Sequence, residues 1–318
     1  MSTRNLTPRT NILLALYDPN IDFLTKQLAS LKNQDYSNYD VLIYDDCPEH
    51  PVDHLWIQQL LSPASVRFIP SDGVNLGYLG AFEKLIQASD GDFVAFCDQD
   101  DIWEPNKISS LVAAMEKDGS LLAICDYSVI DEADKVIHPS ARRNGSSDRF
   151  YDNWTTGDDV VKYDIFTCLA PGMAMALRGD FARSIVPLSR NTGHDKWAIA
   201  CAGIEGIVSY VPEVLAQYRR HGSNTTGALQ DVNSKAEYIK ERCMAHDALI
   251  TELEERYGAF PGLEEAKEFS HARLVGDAAG IRKHKELAPD QARFEELLAY
   301  VPSWTFKPMK WAIQKMTV

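Results

Sequence analysis

Apolar runs and polar breaks alternate through the first 130 residues in a strand–helix rhythm. Asn11-Ile12-Leu13-Leu14-Ala15-Leu16 is an apolar run that stops at Tyr17-Asp18-Pro19-Asn20. It is too short for a helix and predicts a strand followed by a loop. Ile21, Leu24, Leu28 and Leu31 then recur at helical spacing. Val41-Leu42-Ile43-Tyr44 predicts a second strand, ending at Asp45-Asp46, and Leu55 to Leu61 a helix. Val66-Arg67-Phe68-Ile69 predicts a third strand. Asn75-Leu76-Gly77-Tyr78-Leu79-Gly80 leads into a helix carrying Phe82, Leu85 and Ile86, and Phe93 to Cys97 is a fourth strand. This β-α-β-α order predicts an α/β fold with a parallel sheet and right-handed crossovers.

The fourth strand stops abruptly at Asp98, Asp100 and Asp101, three carboxylates in four positions. Acids at the carboxyl end of a central strand sit where open α/β sheets bind their ligands. Packed this closely they cannot all be buried and ionised without a partner. They face water, as a solvated turn capping the next helix, or they hold a cation. Pro105 opens the next helical pattern, Lys107 to Met115, as proline in a first turn often does.

Beyond it, Leu121 to Tyr127 predicts a strand and Ser128 to His138 a turn-rich hairpin. Ala141 to Asp164 is polar, with Arg142, Arg143, Gly145, Ser146 and Ser147 close together, and reads as a loop or lid. Pro171 to Leu177 predicts a strand. Gly193-His194-Asp195-Lys196-Trp197 sets a charged pair at the head of an apolar helix. Ile207 to Val211 and Val214 to Tyr218 predict two short strands ending at Arg219-Arg220-His221-Gly222-Ser223-Asn224. The pattern changes near Asp231. Ala236, Ile239, Cys243, His246, Ile250, Leu253 and Tyr257 mark one face of a helix. Further helical patterns run from Gly262 to Lys285 and from Pro289 to Tyr300. The expected division is 1–230, split into a nucleotide-binding half (about 11–127) and an acceptor half (about 128–230), followed by a helical appendage, 231–318.

Composition narrows the function. Acids outnumber bases 46 to 32, a formal charge of −14, which argues against a nucleic-acid binder. No run reaches the roughly 18 apolar residues of a membrane span. Residues 1–10 lack the apolar segment of a secretion signal. The six scattered cysteines, with no C-x-x-C, read as reduced core thiols of a cytoplasmic protein. The last 18 residues hold Lys307, Lys310, Lys315, Trp304, Phe306 and Trp311 and no acid. Such a tail suits either an anionic membrane surface or packing on its own domain. The helical region also offers a face for a homodimer.

The ordered set Asp45-Asp46, Asn75-Leu76-Gly77, Asp98-Gln99-Asp100-Asp101, Gly172, His194-Asp195 and Tyr218 to Asn224 resembles the inverting family 2 glycosyltransferases with the GT-A fold. Within them, Phe96 to Trp103 and His194-Asp195-Lys196-Trp197 are most similar to bacterial rhamnosyltransferase-type enzymes of surface polysaccharide synthesis. The resemblance spans about Asn11 to Gly227. It implies a Rossmann-like, mostly parallel sheet with helices on both faces. It also implies transfer of a sugar, rhamnose by closest resemblance, from a dTDP- or UDP-linked donor to a glycan or lipid-linked glycan on the inner face of the membrane. Galactose, glucose or an N-acetylated sugar from UDP is the alternative.

Residue by residue, the resemblance makes Asp100 the ligand of Mg2+ or Mn2+, with His221 as a further metal ligand. Asp98 holds the donor ribose, Asp46 reads the pyrimidine and Tyr17 lines the nucleotide pocket. Asn75 and Gly77 complete the donor side. Asp195 becomes the base that takes the acceptor proton; as a residue alone it is equally an N-terminal helix acid. His194, Trp197 and Gly172 fall on the acceptor side, Trp197 as a sugar-stacking ring or a core residue. Arg142 and Arg143 are candidates for an acceptor diphosphate or solvated loop charges. The chain departs from the family pattern at Ala15, where many relatives have Thr, and at Asp18-Pro19, which replaces Asn; both bear on base preference. A sugar nucleotidyltransferase would need a glycine-rich loop after the first strand, absent in Tyr17-Asp18-Pro19-Asn20-Ile21. A non-catalytic carbohydrate-binding module would not need Asp100 and Asp195.

Overall fold

The computed structural model describes residues 7–71, 73–142, 153–222 and 232–310. Arg143, Gly145, Ser146, Ser147, Ser223, Asn224, Trp311 and Lys315 lie outside them. The chain divides into two compact units.

The first unit is built on a nine-stranded mixed sheet in the order β3-β2-β1-β4-β8-β6-β9-β5, with β7 paired to β6. Its strands are β1 (Thr10–Leu16), β2 (Tyr39–Asp45), β3 (Ser65–Phe68), β4 (Phe93–Cys97), β5 (Ile102–Trp103), β6 (Leu122–Ile130), β7 (Val136–His138), β8 (Met175–Arg178) and β9 (Val208–Arg219). β1 to β4, β6 and β9 run one way, and β5, β7 and β8 the other. The helices that matter for the site are α1 (Ile21–Lys32), α2 (His54–Leu61), α3 (Gly77–Ala88), α4 (Lys107–Asp118) and α5 (His194–Glu205). The expected mostly parallel α/β sheet is therefore present, with antiparallel strands in its second half.

β1 lies between β2 and β4 and β4 is buried along its whole length. Strands covered on both faces need continuous apolar runs, which is why these two lack alternation. The parallel register sets Leu16 opposite Asp45 and Leu14 opposite Cys97. Tyr17, Asp46 and Asp98 therefore leave the sheet at the same edge, one residue past their strands.

Three expectations change. The two short strands after Ile207 are one strand, β9, with register shifts opposite Cys125–Tyr127 where Pro212 and Glu213 are accommodated. The hairpin expected from Ser128 begins later, because β6 runs on to Ile130 alongside β9. Pro171 to Leu177 is only partly strand: a 3-10 turn, Gly172–Ala174, precedes β8.

The second unit is helical and contains Asp159–Leu169 as well as the chain from His221 on. Its last continuous stretch begins at His221. Its main helices are α6 (Ala245–Tyr257), α7 (Leu263–Val275) and α8 (Pro289–Tyr300). A short helix, Lys235–Tyr238, and a π-helical turn, Ile239–Met244, precede α6, so the single apolar stripe seen in the sequence is carried through a local change of pitch. Val232, Tyr238, Cys243, Leu298 and Phe306 form one core cluster of this unit. No helix of the described residues is long and apolar enough to cross a membrane.

Candidate active site

β4 delivers four consecutive polar residues to the sheet edge. Asp98 and Asp100 are half-buried, and Asp101 is fully buried. Burial pushes the Asp98 carboxyl up to about 7, and the charges of Asp100 and Asp195 push the same way. Asp195 stands in the first turn of α5, so two elements far apart in sequence bring their carboxylates into one electrostatic environment. Asp195 is half-buried, and its Oδ1 accepts from the Lys196 amide at 2.8 Å.

Asp101 points inward. Its Oδ1 accepts from the Arg219 amide at 2.9 Å, and its Oδ2 is buried with no hydrogen-bond partner among the described residues. Burial, then Asp100 and Asp98, drive its carboxyl well above the usual range.

Beneath these acids lies a buried cation. Lys107, at the start of α4, is wholly buried. It donates to the Met173 carbonyl, and its ammonium lies 3.3 Å from the centre of the Trp103 ring. Burial lowers it to about 8, against the opposing pull of Cys125, Cys97, Asp101 and Asp98. Arg219 is the second fixed cation. Its Nε donates to the Asp100 carbonyl at 2.8 Å and its Nη1 to the Asp131 carbonyl at 3.0 Å, and it pairs with Asp134. One side chain at the end of β9 thus pins the backbone of the acid loop.

The donor-side residues occupy the same edge. Tyr17 is exposed. The Gln99 amide grips its backbone twice: Tyr17 N donates to Oε1 at 2.8 Å, and Nε2 donates to the Tyr17 carbonyl at 3.0 Å. Asp46 is buried, and its Oδ1 accepts from the Leu76 amide at 2.7 Å. Burial raises its carboxyl, while the Leu76 and Gly77 amides pull it back. Asn75 caps the same turn, its Oδ1 accepting from Gly77 N at 2.8 Å. Gly77 has φ +68°, a backbone conformation that side chains resist. Asp46 thus secures the Asn75–Gly77 turn.

On the other side, His194 is buried and stacks on Phe82 at 4.0 Å, with Phe96 edge-on at 4.8 Å. Among the described residues neither ring nitrogen has a hydrogen-bond partner. Burial holds its imidazole below the ordinary value, and Asp195 opposes this. Gly172 is the residue that admits the ring: a Cβ there would lie 2.3 Å from His194 Nε2. Of the two readings of Trp197, its burial favours the core: it is 1% exposed and its Nε1 donates to the Ile185 carbonyl at 2.9 Å. Arg142 stacks on Tyr210 at 3.6 Å. His221 is half-buried, two residues past β9, and belongs to the second unit.

A sequence profile of Glycosyl transferase family 2 matches residues 13–184, more than half of the chain. The chain belongs to that family. A relative from Nostoc sp., an uncharacterized glycosyltransferase, is 25% identical over 222 residues, covering 68% of this chain and 66% of its own. A second, the UDP-Glc:alpha-D-GlcNAc-diphosphoundecaprenol beta-1,3-glucosyltransferase WfgD of Escherichia coli, is 24% identical over 108 residues, 34% of this chain and 42% of its own. Among solved structures, S. aureus TarS 1-349 has a TM-score of 0.58 at 13% identity, covering 92% of this chain and 89% of that one. The mannosyltransferase PcManGT of Pyrobaculum calidifontis, in complex with GDP-Man and Mn2+, has a TM-score of 0.56 at 15% identity over 96% of this chain and 85% of that one. At those identities the likeness speaks for the fold, which is GT-A-like.

A divalent cation fits the acid edge on one observation, an excess of negative charge. Asp98 and Asp101 are driven towards their neutral forms, and one oxygen of Asp101 has no partner among the described residues. Among the described residues no group of three His, Cys, Asp or Glu side chains forms a complete cage. Such a site suits an ion held by one or two carboxylates and completed by phosphate oxygens, the usual way Mg2+ is bound. Lys107, Arg219 and Gln99 were not singled out from the sequence; a lysine at the head of a helix beside an acid run was the one clue.

Proposed function

We propose that this chain is a metal-dependent inverting glycosyltransferase that moves rhamnose from a dTDP-linked donor to a growing, lipid-linked surface glycan. The reading is carried by the shared field of Asp98, Asp100 and Asp195. A carboxylate facing the acid edge from α5 suits a base that takes the acceptor hydroxyl proton as that oxygen attacks the anomeric carbon from the side opposite the leaving group. Asp195 plays that part. Asp98 holds the donor ribose. Tyr17 and the turn secured by Asp46 seat the base, with Asn75 and Gly77 beside it. Asp100 holds the Mg2+ or Mn2+. The cation neutralises charge on the departing diphosphate.

The acceptor reading draws on WfgD, whose name specifies a diphosphoundecaprenol-linked sugar. UDP donors form the second reading, favoured by that name and by the UDP-GlcNAc complex of TarS. The chain acts at the inner face of the cell membrane. The deciding experiment is nucleoside diphosphate release from dTDP-rhamnose, UDP-glucose, UDP-galactose and UDP-N-acetylglucosamine, each with and without Mn2+. Metal-dependent turnover of dTDP-rhamnose is expected. Turnover of a UDP-sugar alone would replace the donor, and no metal-dependent release or binding with any of them would overturn the proposal.

A further inference from the structure

Arg219 ends β9 wholly buried, with its Nε donating to the carbonyl of Asp100 at 2.8 Å. Its backbone amide donates to Asp101 Oδ1 at 2.9 Å. The other arm of the guanidinium is held from outside the acid edge, by the turn at residues 131–135 between β6 and β7. The Asp131 carbonyl accepts from Nη1 at 3.0 Å, and the Asp134 carboxylate accepts from the same nitrogen at 2.5 Å. The turn is built for that reach. Asp131 Oδ1 accepts from the amides of Ala133 and Lys135, both at 2.9 Å. Asp134 has φ +64°, a left-handed conformation that aspartate enters more readily than most side chains do. Its second carboxylate oxygen takes the Lys26 ammonium from α1. Phe23, three residues before Lys26 on that helix, has its ring 4.4 Å from the Arg219 guanidinium.

We propose that Asp134 is a positioning residue for the divalent cation: through Arg219 it fixes the backbone of Asp100, and through Lys26 it ties that backbone to α1. The inference rests on Asp100 being the cation's ligand, as proposed above. Hydrogen bonds between ionised partners are shorter and stronger than neutral ones. Without the Asp134 charge the Arg219 fork loses this charged acceptor, and its aim on the Asp100 carbonyl loosens. Groups behind a metal ligand orient it, and losing one costs roughly 10–100-fold in metal affinity or activity. Asp134 stands one residue further out than such a group, so the low end of that range applies. Its side chain is 36% exposed, and an ion pair that close to water adds little to folding stability. The effect on the cation is therefore separable from an effect on the fold.

The test is Mn2+ binding to the full chain, followed by the paramagnetic resonance of the free ion in the presence of dTDP or UDP, which needs no turnover. Asp134→Asn keeps the size of the side chain and a residue that accepts the left-handed turn. It should weaken Mn2+ roughly tenfold at an unchanged melting temperature, with turnover near wild type once Mn2+ is saturating. Lys26→Met leaves the Arg219 pair in place and should weaken Mn2+ less. In the metal-free protein, amide exchange at residues 98–101 should quicken in Asp134→Asn. A wild-type chain that binds no Mn2+ with either nucleotide would remove the reading of Asp100, and this inference with it. Wild-type binding that Asp134→Asn leaves equally tight, or unchanged exchange at 98–101, would overturn the inference alone. So would turnover that stays low at saturating Mn2+ beside a lowered melting temperature, which would make Asp134 a folding residue.

Discussion

In the helical unit, Glu295 is met from every side. Arg273 donates to it from Nε at 3.0 and 2.8 Å and from Nη2 at 2.8 Å, and the Tyr238 hydroxyl donates at 2.6 Å. The other arm of Arg273 reaches His246 Nδ1 at 2.7 Å, which must accept because guanidinium has no acceptor. At the end of β4 the arrangement is reversed. Asp98, Asp100, Asp101 and Asp195 meet with two buried or half-buried carboxyls driven upward and one oxygen unpartnered among the described residues. Both regions take charge out of water, at a cost. The first offsets that cost within the fold, and on the proposed reading a ligand offsets it in the second. A satisfied buried ion pair is expected to report on folding, and substitutions at the acid edge on the proposed function.

Substitutions should split along that line. The largest effect is expected from Asp195→Asn: turnover should fall by roughly 10²–10⁴-fold, with donor affinity by calorimetry and melting temperature unchanged. Turnover near wild type would remove Asp195 as the base. In the helical unit, Arg273→Met should cost about 3–5 kcal/mol in urea unfolding by stranding Glu295. The double substitution Arg273→Met with Glu295→Leu should recover much of that loss. If the double variant is as unstable as the single one, the network is not self-contained.

Trp197→Phe comes next. It loses the bond to Ile185 and some core volume, so about 1–3 kcal/mol of stability should go, with the acceptor KM unmoved. A raised KM at unchanged stability would return Trp197 to the acceptor side. The smallest effect concerns His194. Its folded value lies below the ordinary 6.5, so between those two values the unfolded chain binds more protons. Stability should therefore fall as pH drops below about 6.5 and be flat for this group above it. Melting curves of wild type and His194→Gln between about pH 5 and 8 should converge on acidification. Parallel curves would mean that the ring is not held neutral.

Much of this was legible in the chain. The runs Asn11 to Leu16, Val41 to Tyr44 and Phe93 to Cys97 read as strands because both their faces are covered, and a polar residue closes each one. Helix α8 begins at Pro289 and ends at Tyr300, as its periodicity indicates. What escaped depends on contacts between distant segments. Lys107 looks like an ordinary polar residue in a helix, and only the fold puts Trp103 and the Met173 carbonyl around it. Trp197 could be a sugar platform or a core ring on spacing alone, and only the fold shows its bond to the Ile185 carbonyl. Pro212 splits an apolar pattern that the backbone carries through as one strand by bulging. Phe306 and Trp304 are alike in the sequence, yet one faces inward and the other out.

The paired hydrogen bonds between Gln99 and the Tyr17 backbone carry one more consequence. They stitch the loop after β1 to the loop that bears Asp98 and Asp100. If a nucleotide settles on the first loop and a cation on the second, neither arrival is independent. Each tightens the other by the same factor, because thermodynamic coupling is reciprocal. Cutting the stitch with Gln99→Ala should leave two loose occupants where there had been one cooperative pair.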